Sequence, residues 1–186
     1  MTGIRGLDSC KRGESPHPRR NQLGRMIWGV VWLFLFRPSP RTFHAWRSML
    51  LRLFGARIGF RAHIYPRARI WAPWNLQMGD DSCLGDHVDC YCVDKITIGP
   101  RSVVSQYSFL CTASHDYRSL ALPLTTAPIA IGQDVWIAAD VFVGPGVSVG
   151  TGSVVGARST VLRDIGAWAV AAGSPAREIG RRPCLA

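Results

Sequence analysis

From Ile58 onward an aliphatic residue returns about every sixth position. Ile58, Ile64 and Ile70 are followed by Met78, Leu84 and Cys90, then by Ile98, Val104 and Leu110. The beat stops there and resumes with Ile131, Ile137, Val143, Val149, Val155, Val161 and Ala167. Of these sixteen positions fourteen are Ile, Val, Leu or Met, and in eight the next residue is glycine. The fourth residue after the aliphatic is usually small or β-branched, as at Ala62, Ser102, Ser108, Ser114, Val135, Val141, Val147, Ser153 and Ser159. Twice the register slips by two residues, at Leu76-Gln77 and Ile96-Thr97. A period of six belongs to neither a helix nor an alternating strand. It predicts an all-β solenoid of short strands and tight corners, three repeats to a triangular coil, with the aliphatic residues stacked in one inner column. The slips then recur once per coil, and glycine is expected at corners whose backbone conformation other residues avoid. A sandwich of short strands would show turn signals every eight to twelve residues or so and no fixed phase. The phase here holds for about a hundred residues.

Ahead of the repeat lie two apolar patterns of another kind. "MIWGVVWLFLF", residues 26–36, is too short to span a bilayer, which needs roughly twenty residues. The "RPSPR" that follows is not a small-residue cleavage site, so the segment predicts a helix that packs on the domain or lies at a membrane surface beside its arginines. "RTFHAWRSMLLRLF" alternates apolar and basic residues as an amphipathic helix does, with Ser39 as N-cap, Pro40 in the first turn and Gly55 as terminator. Residues 1–22 are polar and aperiodic and predict a flexible basic tail. The expected organisation is that tail, an N-terminal helical segment over 23–56, the solenoid over 57–180 and a short C-terminal tail over 181–186.

Charge changes the picture at one end only. The chain of 186 residues carries +10 at neutral pH, but residues 1–69 hold fourteen Lys/Arg against Asp8 and Glu14, while residues 70–186 hold eight against ten acids. An arm facing anionic lipid, nucleic acid or an anionic polymer fits this better than a uniformly basic domain. No nucleic-acid reader motif accompanies it. Six cysteines (Cys10, Cys83, Cys90, Cys92, Cys111, Cys184) include no C-x-x-C pair and read as small buried hydrophobes in a reducing compartment. "GTGSVVG" lacks the G-K-[ST] ending of a phosphate loop and falls on the repeat phase.

The repeat opens once, at "LCTASHDYRS", into a polar, proline-marked excursion over 116–128 that could wall a site. Of five histidines only His115 stands at that opening; His17 lies in the tail, His44 in the amphipathic segment, His63 in the first coil and His87 in the second. An imidazole with a pKa near 6.5 is a natural general base.

Together "RIWAPWNLQMGD", "DKITIG", "SQYSFLCTASHDY", "APIAIGQDVWIAADVFVGPGVSVG" and "VVGARSTVLRD...AAGSPAR" resemble the colanic acid biosynthesis group of hexapeptide-repeat O-acetyltransferases. The lead-in "FRPSPRTFHAWRSMLLRLFGARIG" is similar too, so the resemblance runs from about residue 22 to 182. It implies a left-handed parallel β-helix and acetyl transfer from acetyl-CoA to a hydroxyl of a sugar, in an exopolysaccharide or its precursor, without metal or acetyl-enzyme. It further implies a cytoplasmic homotrimer with sites between subunits, and the basic segment adds a possible seat at the inner face of the membrane. His115 matches the family's catalytic stretch. The resemblance places coenzyme A against Ala157, Arg158, Arg163 and Arg177, with Ala138 and Ala139 of "VWIAAD" beside the oxyanion and the pantetheine arm. The asparagine that holds the sugar in galactoside and maltose acetyltransferases corresponds here to Gly85. Asp86, His87, Asp89, Tyr91, Asp94 and Asp116 are the remaining candidates for the acceptor, each equally readable as a solvated corner of the coil. The γ-class carbonic anhydrases share such a solenoid, but they need a second histidine soon after the first, and Leu120 occupies that stretch. A catalytically silent scaffold or membrane-surface adaptor is the alternative to the enzyme.

Overall fold

The computed structural model describes residues 18–183 and, before them, Arg5–Gly6, whose backbone pairs antiparallel with Thr126 and Thr125. Most of the expected tail and Cys10, His17 and Cys184 therefore lie outside the described residues. Helix α1 (Arg19–Val31) takes up the last four residues assigned to the tail. It continues through a wider π-helical turn, Trp32–Phe36, closed by the Arg37 N–H on the Trp32 carbonyl. Helix α2 (His44–Leu53) begins four residues later than the Ser39 cap predicted. The Ser39 hydroxyl is committed elsewhere: it donates to the Phe36 carbonyl and accepts from the Arg47 guanidinium. Gly55 does end α2, in the left-handed region at φ +87°.

The rest of the chain is a parallel β-helix with three flat faces. On face one Ile58, Met78, Ile98, Ile131 and Val149 stand in register. Face two aligns Ile64, Leu84, Val104, Ile137, Val155 and Ala171. Face three aligns Ile70, Cys90, Leu110, Val143 and Val161. All these side chains are buried. Stacked strands lie about 4.8 Å apart, so each aliphatic residue touches its equivalents above and below and the core is one column. The two-residue slips lengthen face one: Leu76, Ile96 and Ile129 begin three-residue strands and add a second buried aliphatic to each. Ala167 falls outside the column. Ile165 bridges to Val149 in its place, because the last coil reaches face one two residues early. Ser114 is likewise exposed, since the repeat has already opened there.

Corners work differently from the expectation. The third residue after the inner aliphatic carries the positive φ, and it is seldom glycine: Arg61, Asp81, Arg101, Asp134 and Trp168 at the first corner, His87, Tyr107, Asp140 and Arg158 at the second. The glycine directly after the aliphatic answers a different need. A Cβ on Gly99 would sit 2.4 Å from the Gly132 carbonyl oxygen, and one on Gly150 2.5 Å from the Ala167 nitrogen. Backbones of successive coils pass too close there for any side chain. Arg61 with Asp81, and Arg101 with Asp134, pair down the first corner at 2.6 Å, exposed enough to add little stability.

The N-terminal helices close the lower end of the column. In the inner coils the carbonyls of Met78, Leu84, Val88 and Cys90 each accept an N–H from the coil below. The equivalent carbonyls of the first coil have no coil below, and side chains take over. Arg52 donates to Ile58 O, Arg47 to Ile64 O at 2.6 Å, Trp32 to Ala68 O and Trp28 to Ile70 O. Arg47 is completely buried and its other nitrogens reach the Ser39 hydroxyl and the Pro40 and Arg41 carbonyls, so four of its contacts are to oxygen, none of it carboxylate, and a fifth is to His44 Nδ1. At the upper end Ala169–Gly173 and Ala176–Arg181 form an antiparallel hairpin.

Arg47→Ala should strand these carbonyls in the dry base of the column and lower the unfolding free energy by about 3 kcal/mol. Arg47→Lys should recover less than half, since an ammonium cannot span the same oxygens. Urea unfolding at fixed protein concentration measures both, with the exposed Arg61→Ala as a control that should leave the midpoint nearly unchanged.

Candidate functional site

Face three passes from the second corner to the third, and the chain leaves the coil at the third. Phe109–Cys111 closes that face in the third coil, and Ala113–His115 then runs outward, pairing antiparallel with Leu124–Thr126. His115 ends the outgoing strand of this hairpin, opposite Leu124, and is exposed. Its Nδ1 lies 2.6 Å from the Leu122 carbonyl oxygen, and Leu122 takes a left-handed φ of +47° at that point. A carbonyl can only accept, so Nδ1 is the donor, and in the neutral ring the lone pair then falls on Nε2. Asp116 holds the loop: its N–H donates to the Pro123 carbonyl and its carboxylate accepts from the Arg118 N–H.

The second corner gathers most of the other candidates into one ladder. Reading upward, Asp86-His87, Gln106-Tyr107, Ala139-Asp140 and Ala157-Arg158 occupy equivalent positions, as the matching corner bonds show. Its character changes between the third and fourth coils. Below, the side chains are large: His87 stacks on Tyr107 with ring centroids 5.0 Å apart, and Arg67 reaches to 3.4 Å from His87. Above, Ala138, Ala139, Gly156 and Ala157 leave a smooth track where any longer side chain would project. The Ala138 N–H donates to Val155 O and the Ala139 carbonyl accepts from the Arg158 N–H. Of the two alanine N–H groups, Ala139 has the one with no partner among the described residues. Arg158 is extended into solvent beside Asp140, and Arg177, opposite Ala172 on the terminal hairpin, overhangs the same corner. Arg163 lies at the third corner, on the side of His115 rather than of Arg158.

The acceptor candidates separate in the same way. Asp86 and His87 line a groove of about 450 Å³ with Arg41, Tyr65, Arg67 and Tyr107. Asp89 shares a smaller one, about 250 Å³, with Trp32, Arg37, Arg67, Arg69 and His87. The Asp86 carboxylate accepts the Arg67 N–H, which ties it to the corner itself. Burial pushes the Asp89 carboxyl up, against the opposing pull of Arg69. Tyr91 is one rung of an outward aromatic ladder on face three, Trp71, Tyr91, Phe109 and Phe142, with centroids 5.5 to 6.2 Å apart. Asp94 sits at the third corner, where its carboxylate accepts the Lys95 N–H and its own N–H donates to Thr112. The ladder escaped the sequence reading. Its trace is an aromatic on either side of the inner residue, Trp71 and Tyr91 after it, Phe109 and Phe142 before it.

Within one chain, then, His115 and the alanine track stand on different corners. Face three separates them by some five residues, roughly 16 Å of strand. Cys90, Cys92 and Cys111 are buried free thiols, and Cys90 fills an inner position as an aliphatic residue would. Among the described residues no three His, Cys, Asp or Glu side chains are grouped so that they could hold a metal ion.

The model of the bacterial transferase hexapeptide family (six repeats) matches residues 128–163. Over 162 residues, 87% of this chain and 89% of the other, the sequence is 46% identical to an Escherichia coli (strain K12) protein named as a colanic acid biosynthesis acetyltransferase, WcaF; the Shigella flexneri protein of that name matches equally. Among solved structures, a hexapeptide-repeat acetyltransferase of Vibrio cholerae in complex with acetyl coenzyme A superposes with a TM-score of 0.80 at 27% identity, covering 92% of this chain and 95% of that one. A galactoside acetyltransferase in complex with coenzyme A gives 0.76 at 25% identity, covering 91% and 86%. By its repeat, its fold and this identity along nearly the whole chain, the protein belongs to the hexapeptide-repeat acetyltransferases, in the group of the colanic acid biosynthesis enzymes.

Proposed function

We propose that the protein transfers an acetyl group from acetyl-CoA to a hydroxyl of a sugar in an exopolysaccharide or its precursor, with His115 as general base. The observation that carries this reading is the orientation of His115. Its Nδ1 is spent on the Leu122 carbonyl, so Nε2 is free to accept a proton in front of the hairpin. In the reaction Nε2 takes the hydroxyl proton as the hydroxyl oxygen bonds to the thioester carbonyl carbon. The tetrahedral oxyanion is met by the unengaged Ala139 N–H, the C–S bond then breaks, and the proton passes to the departing thiolate. No acetyl-enzyme forms.

The alanine track of the upper coils suits the pantetheine arm, and Arg158 and Arg177 flank it where the phosphates would emerge, with Arg163 contributed from a third corner. Because base and track sit on different corners of one chain, the site is completed between chains, the hairpin of one subunit meeting the second corner of the next in a homotrimer. The grooves around His87 and Asp89, edged by arginines, lie lower on that corner and receive the acceptor. A cytoplasmic setting supplies the acetyl-CoA.

Three outcomes test this. His115→Ala should lower kcat by about 10²- to 10⁴-fold while leaving the acetyl-CoA Kd from calorimetry unchanged, and turnover near wild type would refute the base. Nitrogen-15 spectra of the neutral imidazole should show Nδ1 protonated and Nε2 bare; the opposite tautomer would remove the geometric support. Replacing Arg158, Arg163 and Arg177 together by Gln should weaken acetyl-CoA by about a hundredfold with the thermal transition retained, and unchanged affinity would place the nucleotide elsewhere.

A further inference from the structure

Helix α1 is apolar on both sides. Its inner side explains itself: Trp28 is buried, Trp32 and Val31 are half-buried, and both indoles donate to the first coil. The outer side does not. Leu23, Met26, Ile27, Val30, Leu33 and Phe34 follow one another at three- and four-residue spacing and are all open to solvent, Met26 by 70%, Val30 by 59% and Phe34 by 67%. A helix on a protein surface normally turns polar residues outward. A contiguous exposed apolar stripe marks a surface that something covers.

We propose that this stripe seats the protein on an anionic phospholipid bilayer. Charge decides between the possible covers. Arg19 and Arg20 stand one turn before Leu23 on the same side, and Arg37 stands one turn after Phe34, so the stripe is bracketed by exposed guanidinium groups. From residue 18 to residue 69 the chain has eleven arginines and no acidic residue. No described ion pair involves Arg19, Arg20 or Arg37. A second copy laid stripe to stripe would set these cations against one another with no carboxylate to relieve them. A membrane surface rich in phosphatidylglycerol offers hydrocarbon to the stripe and phosphate to the arginines, whose aliphatic stems can lie along the interface. The eighteen residues from Arg19 to Phe36 reach about 27 Å, the dimension of a helix lying in the interface plane. None of the described helices is long and apolar enough to cross a membrane. This seat does not rest on the acetyl-transfer reading, although Arg37 also borders the small groove that holds Asp89.

The full-length protein would be co-sedimented with phosphatidylcholine vesicles and with vesicles containing roughly 30 mol % phosphatidylglycerol. Binding should be at least about tenfold tighter to the anionic vesicles and should weaken with added salt. The double variant Val30→Glu/Phe34→Glu should lose at least about tenfold of that binding while its size in solution and its thermal transition match wild type. Arg19→Gln/Arg20→Gln/Arg37→Gln, which leaves the apolar stripe intact, should lose the preference for the anionic vesicles. The proposal falls if the folded wild type does not bind anionic vesicles, or if Val30→Glu/Phe34→Glu binds them as wild type does. It falls equally if the Glu variant changes the oligomeric size, for the stripe would then be a contact between copies of the chain.

Discussion

A solenoid has two open ends, and this one depends on how the first coil is finished. Each coil hydrogen-bonds to the next, so the repeat could run on indefinitely and the first coil would present a row of unmet carbonyls. Four of these are met by long side chains: Arg52, Arg47, Trp32 and Trp28. They stand where a preceding strand would have placed its N–H groups. The choice of residue follows from reach. An indole or a guanidinium carries a donor out to about the distance at which the next coil would lie, across the thickness of a packed helix, and brings apolar surface with it. Arg47 shows the limit of this solution. It is fully buried without a carboxylate partner, so its charge is dispersed over carbonyl dipoles and the Ser39 hydroxyl.

The finished column then constrains the chemistry. Every coil adds the same three corners, and a side chain can act only at a corner or on an outer face. A catalytic group that must stand away from the coil needs an insertion, and a corner accepts one because the strands on either side still pair with their neighbours. The excursion after Cys111 uses this freedom. Leu110 and Val143 remain in register while the chain between them carries His115 outward. The second corner stays flush with the coil and offers a ladder whose side chains change from large to small on passing the third coil. One corner supplies a projecting histidine and another a smooth track, so the two kinds of surface stand on different sides of one chain.

What could be read in advance reflects where the forces are local. The inner column was legible because Ile58, Ile64 and Ile70 and their successors answer to a single strong constraint, burial at fixed spacing. His115 was legible as an interruption of that spacing. The glycines were recognised for the wrong reason: strain was expected, but the need at Gly99 and Gly150 is the approach of a backbone from another coil. The strain falls two residues later, on Asp81, His87, Asp134 and their equivalents, and a regular Asp or Arg at that phase is the trace it leaves. The start of α2 was misplaced because the Ser39 hydroxyl serves the Phe36 carbonyl behind it and Arg47, not the first turn of α2. The end-caps were illegible altogether, since Trp28 and Ile70 are forty-two residues apart and no periodicity connects a donor to an acceptor at that range.

The excess of positive charge therefore divides into two populations that composition alone merges. Arg47 and Arg52 are turned inward on carbonyls, and Arg61 is paired with Asp81. At Arg47 and Arg52 the chain requires several donors on one head far more than it requires charge, which accounts for arginine rather than lysine there. Arg19 and Arg20 have no such employment among the described residues, and Arg37 has only the face of the Trp32 ring, 5.6 Å from its centroid. They stand at the two ends of the one helix whose outer side is apolar, so their charge is the part of the N-terminal excess that folding does not explain.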